Sequence, residues 1–439
     1  MRRAVVAGGS VAGLLAARVL HDLADEVLVV EPGDLPEGPE HRAAVPQDAQ
    51  LHILLGLGQH LLAHWFPGIL DDLAADGAVL RDPHTDARMY VDGRMRPPVG
   101  GDSLLPVDRP LLEWHIRSAV LALPRVRLVR DRVVGLELTG DRVTGARLES
   151  GVRRADLVVD ATGRAARLSS WLADLGYPAA PKRRIGLDLG YATTLFRRRP
   201  GARLDGMLIV HSTRSAAWAR AGMSCVAPVG PDRWVCVVSG YGADRPTRDP
   251  RAFAARCLAE PAPGFAELVG GSEAVAPVAT HRFPHSVRRD FHAAERFPDG
   301  VVPVGDAVAS FNPIYGQGIS SAALHASALG GWLGAGTAVG DYLHRLSLLV
   351  DVAWQTVLND FRLPHVTGER PRGDRFRQAL AGAIDAAAMS DPVVARRFAD
   401  VLAMRARPVE LLRPAVLGRV VVAAARTRFA ANHGGDPPA

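Results

Sequence analysis

Gly8, Ser10 and Gly13 stand in a Gly-x-Ser-x-x-Gly spacing, between the apolar run Ala4-Val5-Val6-Ala7 and a stretch with Leu14, Leu15, Val19 and Leu20 at helical intervals. Such a turn can do chemistry. A glycine-rich entry into a helix leaves backbone N–H groups aimed at one point, where the helix dipole favours an anion. Gly8 permits the tight strand-to-helix turn, and Gly13 lets the helix lie close on the sheet. Ser10 takes the place of the glycine that admits a pyrophosphate, and its small side chain carries a hydroxyl able to donate to a phosphate oxygen. With Val11 and Ala12, these residues make a dinucleotide cradle. Glu31 closes the apolar run Glu26-Val27-Leu28-Val29-Val30, about 20 residues on, where an acid reaches a ribose hydroxyl. The loop accepts FAD or NAD and does not choose between them.

A later segment chooses. Val301-Val302-Pro303-Val304 reads as a buried strand ending in Gly305-Asp306, which would set the Asp306 carboxylate beside the ribityl chain of a flavin. After a turn at Pro313, Gly316-Gln317-Gly318 opens a helix rich in Ala and Ser. Bare amides of Gly316, Gln317 and Gly318 would face the pyrimidine edge of the isoalloxazine, where they stabilise charge gathering at N1 and the C2 carbonyl. An NAD dehydrogenase has no need of this second glycine helix. The expected cofactor is therefore FAD, bound non-covalently because no attachment residue is evident. Between these segments lies Ala155-Asp156-Leu157-Val158-Val159-Asp160-Ala161-Thr162-Gly163-Arg164. Only one complete nucleotide loop is present, so a nicotinamide donor has no domain of its own.

The elements that must hold these residues follow from periodicity. The fold class is mixed α/β: a Rossmann-like FAD-binding domain, an interleaved antiparallel substrate sheet and a C-terminal helical region. The first domain spans residues 1–180, with an inserted stretch around 75–105 on the substrate side. Ile185 to Thr194, Met207 to His211, Met223 to Ala227 and Arg233 to Ser239 are β-rich runs separated by Gly, Pro and Arg. They place the substrate sheet at 181–285, with Phe196, Met207, Trp218, Met223 and Trp234 as wall residues of an apolar pocket. The FAD domain resumes over 286–335. In the helical region, 336–439, Ala379 to Ala388, Pro392 to Met404 and Val416 to Ala425 have helical apolar spacing. The tail His433 to Ala439 reads as disordered.

Composition removes other classes. At 439 residues, 48% hydrophobic and 22% charged, the chain has the balance of a globular protein with a large core. No apolar run is long enough for stable membrane insertion. The net charge of +6 rests on scattered arginines, Lys182 being the single lysine, and no basic–aromatic patch suits nucleic acid. Cys225, Cys236 and Cys257 form no CxxC pair, which fits a reducing cytoplasm. His60 and His64 lack a third ligand, so no metal is expected. Ser10 and Ser310 lack the context of a hydrolase nucleophile.

With these motifs the chain resembles, from about residue 3 to about residue 330, the FAD-dependent (group A) monooxygenases of the p-hydroxybenzoate hydroxylase type. Two departures are visible: Ala161-Thr162-Gly163 stands where the family has Asp-Gly, and Val308 where it has histidine. His41-Arg42-Ala43-Ala44-Val45-Pro46-Gln47 and Asp108-Arg109-Pro110-Leu111-Leu112-Glu113-Trp114 look like the polyene epoxidases of polyether biosynthesis, the lasalocid- and monensin-epoxidase group. That resemblance implies that Arg42 and Arg109 contact the FAD diphosphate or ribityl region, and Val133 joins the cofactor set. It also implies NADH or NADPH as co-substrate, O2, a flavin C4a-hydroperoxide, and transfer of one oxygen atom to a lipophilic polyene, terpenoid or aromatic polyketide. Alkene epoxidation needs no protein base, and no spacing singles one out from His211, His281, His285, Tyr191 and Tyr241. Aromatic hydroxylation and a flavin-linked reduction of the geranylgeranyl-reductase type are the alternatives. A monomer or homodimer is expected.

Overall fold

A computed structural model describes every residue except 43, 44, 46, 199–205, 216, 217 and 433–439, so the expected disordered tail falls outside the described residues. Four strands, β1 (Arg3–Ala7), β2 (Glu26–Glu31), β3 (Val126–Arg130) and β4 (Leu157–Asp160), join the strand Val301–Pro303 in a parallel sheet. The order across it is Val301–Pro303, β4, β1, β2, β3. The central strands are buried along their length, with α1 (Val11–His21) packed against β1, β2 and β4 and the antiparallel strand Arg142–Leu148 packed against β4. Helix α1 also packs against α2 (Arg109–Leu121) and α3 (Gly318–Ala335).

The entry to α1 is fixed by sterics. Gly8 has φ +112°, a conformation that side chains rarely adopt, and a Cβ there would stand 2.5 Å from the Ala161 carbonyl oxygen. A Cβ on Gly13 would lie 1.8 Å from the Gly8 carbonyl oxygen, so only glycine lets the helix sit this close to its own entry turn.

The second sheet holds nine strands and is mostly antiparallel. Its centre is β5 (Lys182–Arg197), β6 (Met207–Ser215), β7 (Trp218–Val229), β8 (Arg233–Tyr241) and β9 (Ala279–Arg289). The strand Ala87–Val91 pairs in parallel with β6, which puts part of the 75–105 stretch in this sheet. The β5–β9 ladder continues to Lys182↔Arg289, so the sheet runs past the boundary expected at 285. Alternation along its strands separates two chambers. Leu208, Val210, Trp234, Cys236 and Val238 face a closed core under the helices Pro250–Leu258 and Pro263–Gly271. The opposite parity, Ile209, His211, Val237 and Ser239, faces a cavity shared with the first sheet.

After α3, helix α4 (Val339–Leu358) lies on the dinucleotide side. Helices α5 (Asp374–Ala387), α6 (Pro392–Leu402) and α7 (Pro414–Asn432) follow. The start of α6 is written locally: Pro392 fills the first position, and the Asp391 carboxylate accepts from the N–H groups of Val393 (2.9 Å) and Val394 (3.1 Å). These helices share a small core of their own around Ile384, Val394 and Leu411. Among the described residues no helix is long and apolar enough to cross a membrane.

The Gly13–Gly8 contact generates a direct expectation. Gly13→Ala should lower stability by about 3 kcal/mol or more, because backbone rather than a flexible side chain must move. Urea unfolding measures it, and wild-type stability would contradict the contact.

Candidate cofactor and substrate site

One cavity of about 2270 Å³ runs from the α1 entry turn to the space under the second sheet. A drug-sized ligand needs roughly 300–1,000 Å³. The cavity therefore has room for a dinucleotide and a second molecule together.

At its first end, five polar side chains form a single buried network. Glu31 Oε2 accepts from the Gly9 N–H at 2.7 Å, and its Oε1 accepts from the Gly33 N–H at 3.1 Å and pairs with Arg42 Nη2 at 3.0 Å. Arg42 Nη1 also pairs with Glu113 Oε1. The other Glu113 oxygen accepts from the Ser10 hydroxyl at 2.7 Å and from Arg109 Nη2 at 3.1 Å. Burial works to raise the Glu113 pKa, but Arg109, the Ser10 hydroxyl and Arg42 outweigh it and hold the carboxyl below its ordinary range.

This geometry refines three expectations. The Ser10 proton is committed to Glu113, so Ser10 acts through its neighbours rather than as a free phosphate donor. Arg42 and Arg109 both reach the cavity wall, yet each first neutralises a carboxylate. Each keeps a buried Nε with no partner among the described residues. Glu113 is the residue that motif reading passed over; its position four residues after Arg109 on one helix face was the available signal. Val133 opens the strand Val133–Thr139 and lines the same end of the cavity.

The Gly305–Ala307 turn meets the α1 entry directly: a Cβ on Gly305, whose φ is +60°, would stand 2.6 Å from the Cβ of Ala12. The Gly305 N–H donates to Nδ1 of His325 at 3.0 Å. Burial drives the His325 pKa down to about 4, so the neutral ring can accept that bond. Asp306 lines the cavity, its carboxyl raised by burial against the pull of Arg164, Arg109 and Arg289. Asp160 does not reach the cavity. It accepts from Thr162 N–H (2.9 Å), Thr162 hydroxyl (2.6 Å) and Leu168 N–H (2.9 Å), pinning the loop that backs Gly8.

The Pro313 turn and the glycine helix follow as expected. Gly316 has φ +67°, and a Cβ on Gly318 would enter open space inside the cavity. The buried Gln317 side chain donates to the Leu402 carbonyl at 3.3 Å, and of these three residues Gly316 and Gly318 line the cavity. A buried cluster supports this loop. Asn312 Nδ2 donates to the Tyr241 oxygen at 3.1 Å and to both oxygens of Asp360, and the Tyr315 hydroxyl donates to Asp360 at 2.8 Å. Burial raises the Asp360 carboxyl to about 6.

Of the expected wall residues, Met223 lines the cavity. Phe196 and Trp234 belong to the closed core on the other face of the sheet, and Met207 is buried in the main core. For Phe196 and Trp234, strand parity is the reason: the residues are on the right strands but on the wrong face. The Trp218 side chain lies outside the described residues. Tyr191, His211 and His281 reach the cavity; Tyr241 instead accepts from Asn312, and His285 is bound by Arg184 at 2.8 Å.

No protein-family model matches the chain. It is 35% identical over 430 residues to Protein Rv3254 of Mycobacterium tuberculosis (strain ATCC 25618 / H37Rv), an alignment covering 90% of this chain and 88% of that one. The chain belongs to the family of that mycobacterial protein. Among solved structures it is similar to the flavin-dependent brominase Bmp2, with a TM-score of 0.65 and 15% identity over 98% of both chains. It is also similar to PqsL of Pseudomonas aeruginosa, described as a probable FAD-dependent monooxygenase, with a TM-score of 0.59 and 19% identity over 91% of this chain and 99% of that one. A third is a variant of 2-methyl-3-hydroxypyridine-5-carboxylic acid oxygenase, with a TM-score of 0.63 and 18% identity over 93% and 99%. At these identities the likeness is one of fold, and the mixed α/β architecture is the one these proteins share.

Asp360 sets a pH expectation. The folded carboxyl keeps its proton to about pH 6, whereas an aspartate's ordinary value is 3.8. Stability should therefore fall as pH rises from about 4 to about 6 and level off above, by at most roughly 1.4 kcal/mol per pH unit from this group. Subtracting the Asp360→Asn profile from that of the unsubstituted chain isolates the effect. A difference that is flat or rises over this window would contradict the burial.

Proposed function

We propose that the chain binds FAD without a covalent link and acts as a monooxygenase, placing one oxygen atom of O2 on an electron-rich carbon of a lipophilic small molecule. The observation that carries this reading is the continuity of the cavity. It passes from Glu31 and the α1 entry, past Asp306 and Gly316–Gly318, into an apolar chamber under the second sheet.

The residues fit the cofactor. The orphaned Nε groups of Arg42 and Arg109 and the N-terminus of α1 suit a diphosphate, and Asp306 suits a ribityl hydroxyl. The open space over Gly318 suits a flat ring lying against bare amides. FAD, when bound, supplies the activation of dioxygen; one oxygen atom goes to the substrate and the other leaves as water, with two electrons from NAD(P)H. The protein orients the substrate and keeps water from the reacting atoms. The fold shared with an oxygenase and with PqsL, described as a probable monooxygenase, supports the same assignment.

An anionic electron donor is supported by a cluster at the cavity edge. Arg184 contacts His285 Nδ1, Arg164 donates to the His285 carbonyl at 3.1 Å, and burial with Arg184, Arg164, Lys182 and Arg289 pushes the His285 pKa down to about 4. Phosphates of NADH or NADPH would be drawn there.

Alkene epoxidation is our reading over phenol hydroxylation, and the state of four of the five candidate bases, His281 apart, supports it. Burial takes His211 down to about 4 and raises Tyr191 and Tyr241, while desolvation and four cations lower His285. None of these four is tuned to take a proton near neutral pH, and an alkene requires no such group.

Two measurements test the reading. Asp306→Ala should weaken FAD retention by about tenfold, the loss of one good hydrogen-bonding group, read from flavin absorbance after gel filtration; equal retention would remove Asp306 from the site. Turnover under labelled dioxygen should add a single labelled atom to the product by mass spectrometry. Product formation without label would point instead to a reductase.

A further inference from the structure

The chamber under the second sheet is mostly apolar, and charged side chains in its lining pair with one another, as Arg96 does with Asp385 and Arg405 with Asp102. Met89, Val91, Ile209, Met223 and Val237 line its sheet side, and Ile384, Met389, Phe398 and Leu402 line its helical side. Between them stands Arg362, solvent-accessible within the cavity and carried on the short turn Asn359–Arg362 that follows α4.

That turn is held on several sides. Phe361 is buried, and Asp360 faces Asn312 and Tyr315. Arg377 donates to the Asn359 side chain at 3.0 Å and to the Leu358 carbonyl at 2.6 Å, and Gln378 donates to the same carbonyl at 2.9 Å. The base of the Arg362 side chain is therefore preorganised.

Its charge acts on the nearby Asp360 carboxyl, yet among the described residues it forms no ion pair. Every carboxylate nearby has another partner: Asp360 accepts from Asn312 and Tyr315, Asp385 pairs with Arg96 at 2.5 Å, and Asp92 accepts from the Thr213 N–H at 2.8 Å and its hydroxyl at 2.5 Å. Among the described residues Arg362 has no carboxylate within ion-pairing distance, and its side-chain bond is to Nε2 of His211 at 3.2 Å. The ring of His211 is neutral, so it orients one arm of the guanidinium without cancelling the charge. The remaining donors form a planar fork that matches a carboxylate.

We infer that Arg362 is the substrate anchor of this chamber, and that the substrate is an apolar molecule ending in a carboxylate or an equivalent oxyanion. The inference rests on the oxygenase reading for the word substrate, but the anion site itself can be tested without turnover. A guanidinium with no carboxylate in ion-pairing distance keeps donors free for an anion, and a charge-assisted two-point bond is stronger than a neutral one. The neighbouring loop, Asn312 to Gly318, would place the anchored end close to the ring-binding end of the cavity.

The test compares two dyes that differ by one anionic group: 8-anilinonaphthalene-1-sulfonate and the neutral N-phenyl-1-naphthylamine. Both are titrated by fluorescence into the FAD-loaded full chain, its Arg362→Gln variant and its Arg362→Lys variant. Arg362→Gln should weaken the sulfonate dye by about tenfold and leave the neutral dye within about twofold of its original affinity. Arg362→Lys should recover part of the loss, since charge returns without the fork. Failure of the unsubstituted chain to bind the sulfonate dye, unchanged sulfonate binding in Arg362→Gln, or an equal loss for both dyes would each overturn the anchor. Flavin absorbance of the same samples reports on the cofactor reading separately, so the two cannot fail unnoticed together.

Discussion

The architecture depends on how closely separate pieces of backbone can approach at the start of α1. Gly13 lies against the carbonyl of Gly8, Gly8 lies against Ala161, and Gly305 lies against Ala12. Each approach is shorter than a side chain would permit. Together they draw the first turn, the loop after β4 and the Gly305–Ala307 turn onto one point, although hundreds of residues separate them in the chain. A cavity with donors from all three follows from that convergence. Without it, Asp306 and Ser10 would belong to different surfaces.

Electrostatics then fixes what the convergence can hold. Two arginines and two carboxylates are buried together at the dinucleotide end, with a serine hydroxyl completing the lattice. A buried charge is tolerated only when paired and hydrogen-bonded, and removing one member strands the rest. Glu113 is the hub because both its oxygens are used. Its carboxylate keeps Arg42 and Arg109 aimed at the cavity while leaving each an unused Nε. The same logic recurs at Asp360, where burial shifts the carboxyl upward against the pull of Tyr315, Asn312 and Arg362, and its hydrogen bonds steady the Pro313 loop.

The C-terminal helices give the substrate side its character. They have a core of their own around Val394, yet Ile384, Phe398 and Leu402 also turn toward the shared cavity. Polar ties hold them in place: Arg96 with Asp385, Arg405 with Asp102, and Gln317 with the Leu402 carbonyl. A region that periodicity describes only as amphipathic helices thus completes a chamber wall.

The sequence by itself determined the parallel sheet, the glycine entry turn and the late Gly-Asp turn. Strands buried on both faces need unbroken apolar runs, and positions without room for a Cβ need glycine; both demands are local and are written in consecutive residues. Tertiary structure alone decided the partners. Ser10 meets Glu113 across 103 residues, Asn312 meets Asp360 across 48, and His211 meets Arg362 across 151. It also decided which face of β8 looks into the cavity, sending Trp234 to the closed core and Val237 to the chamber. A pairwise contact between distant side chains leaves no periodic trace in either segment, so residue type and spacing could name the strands and turns but not the bonds between them.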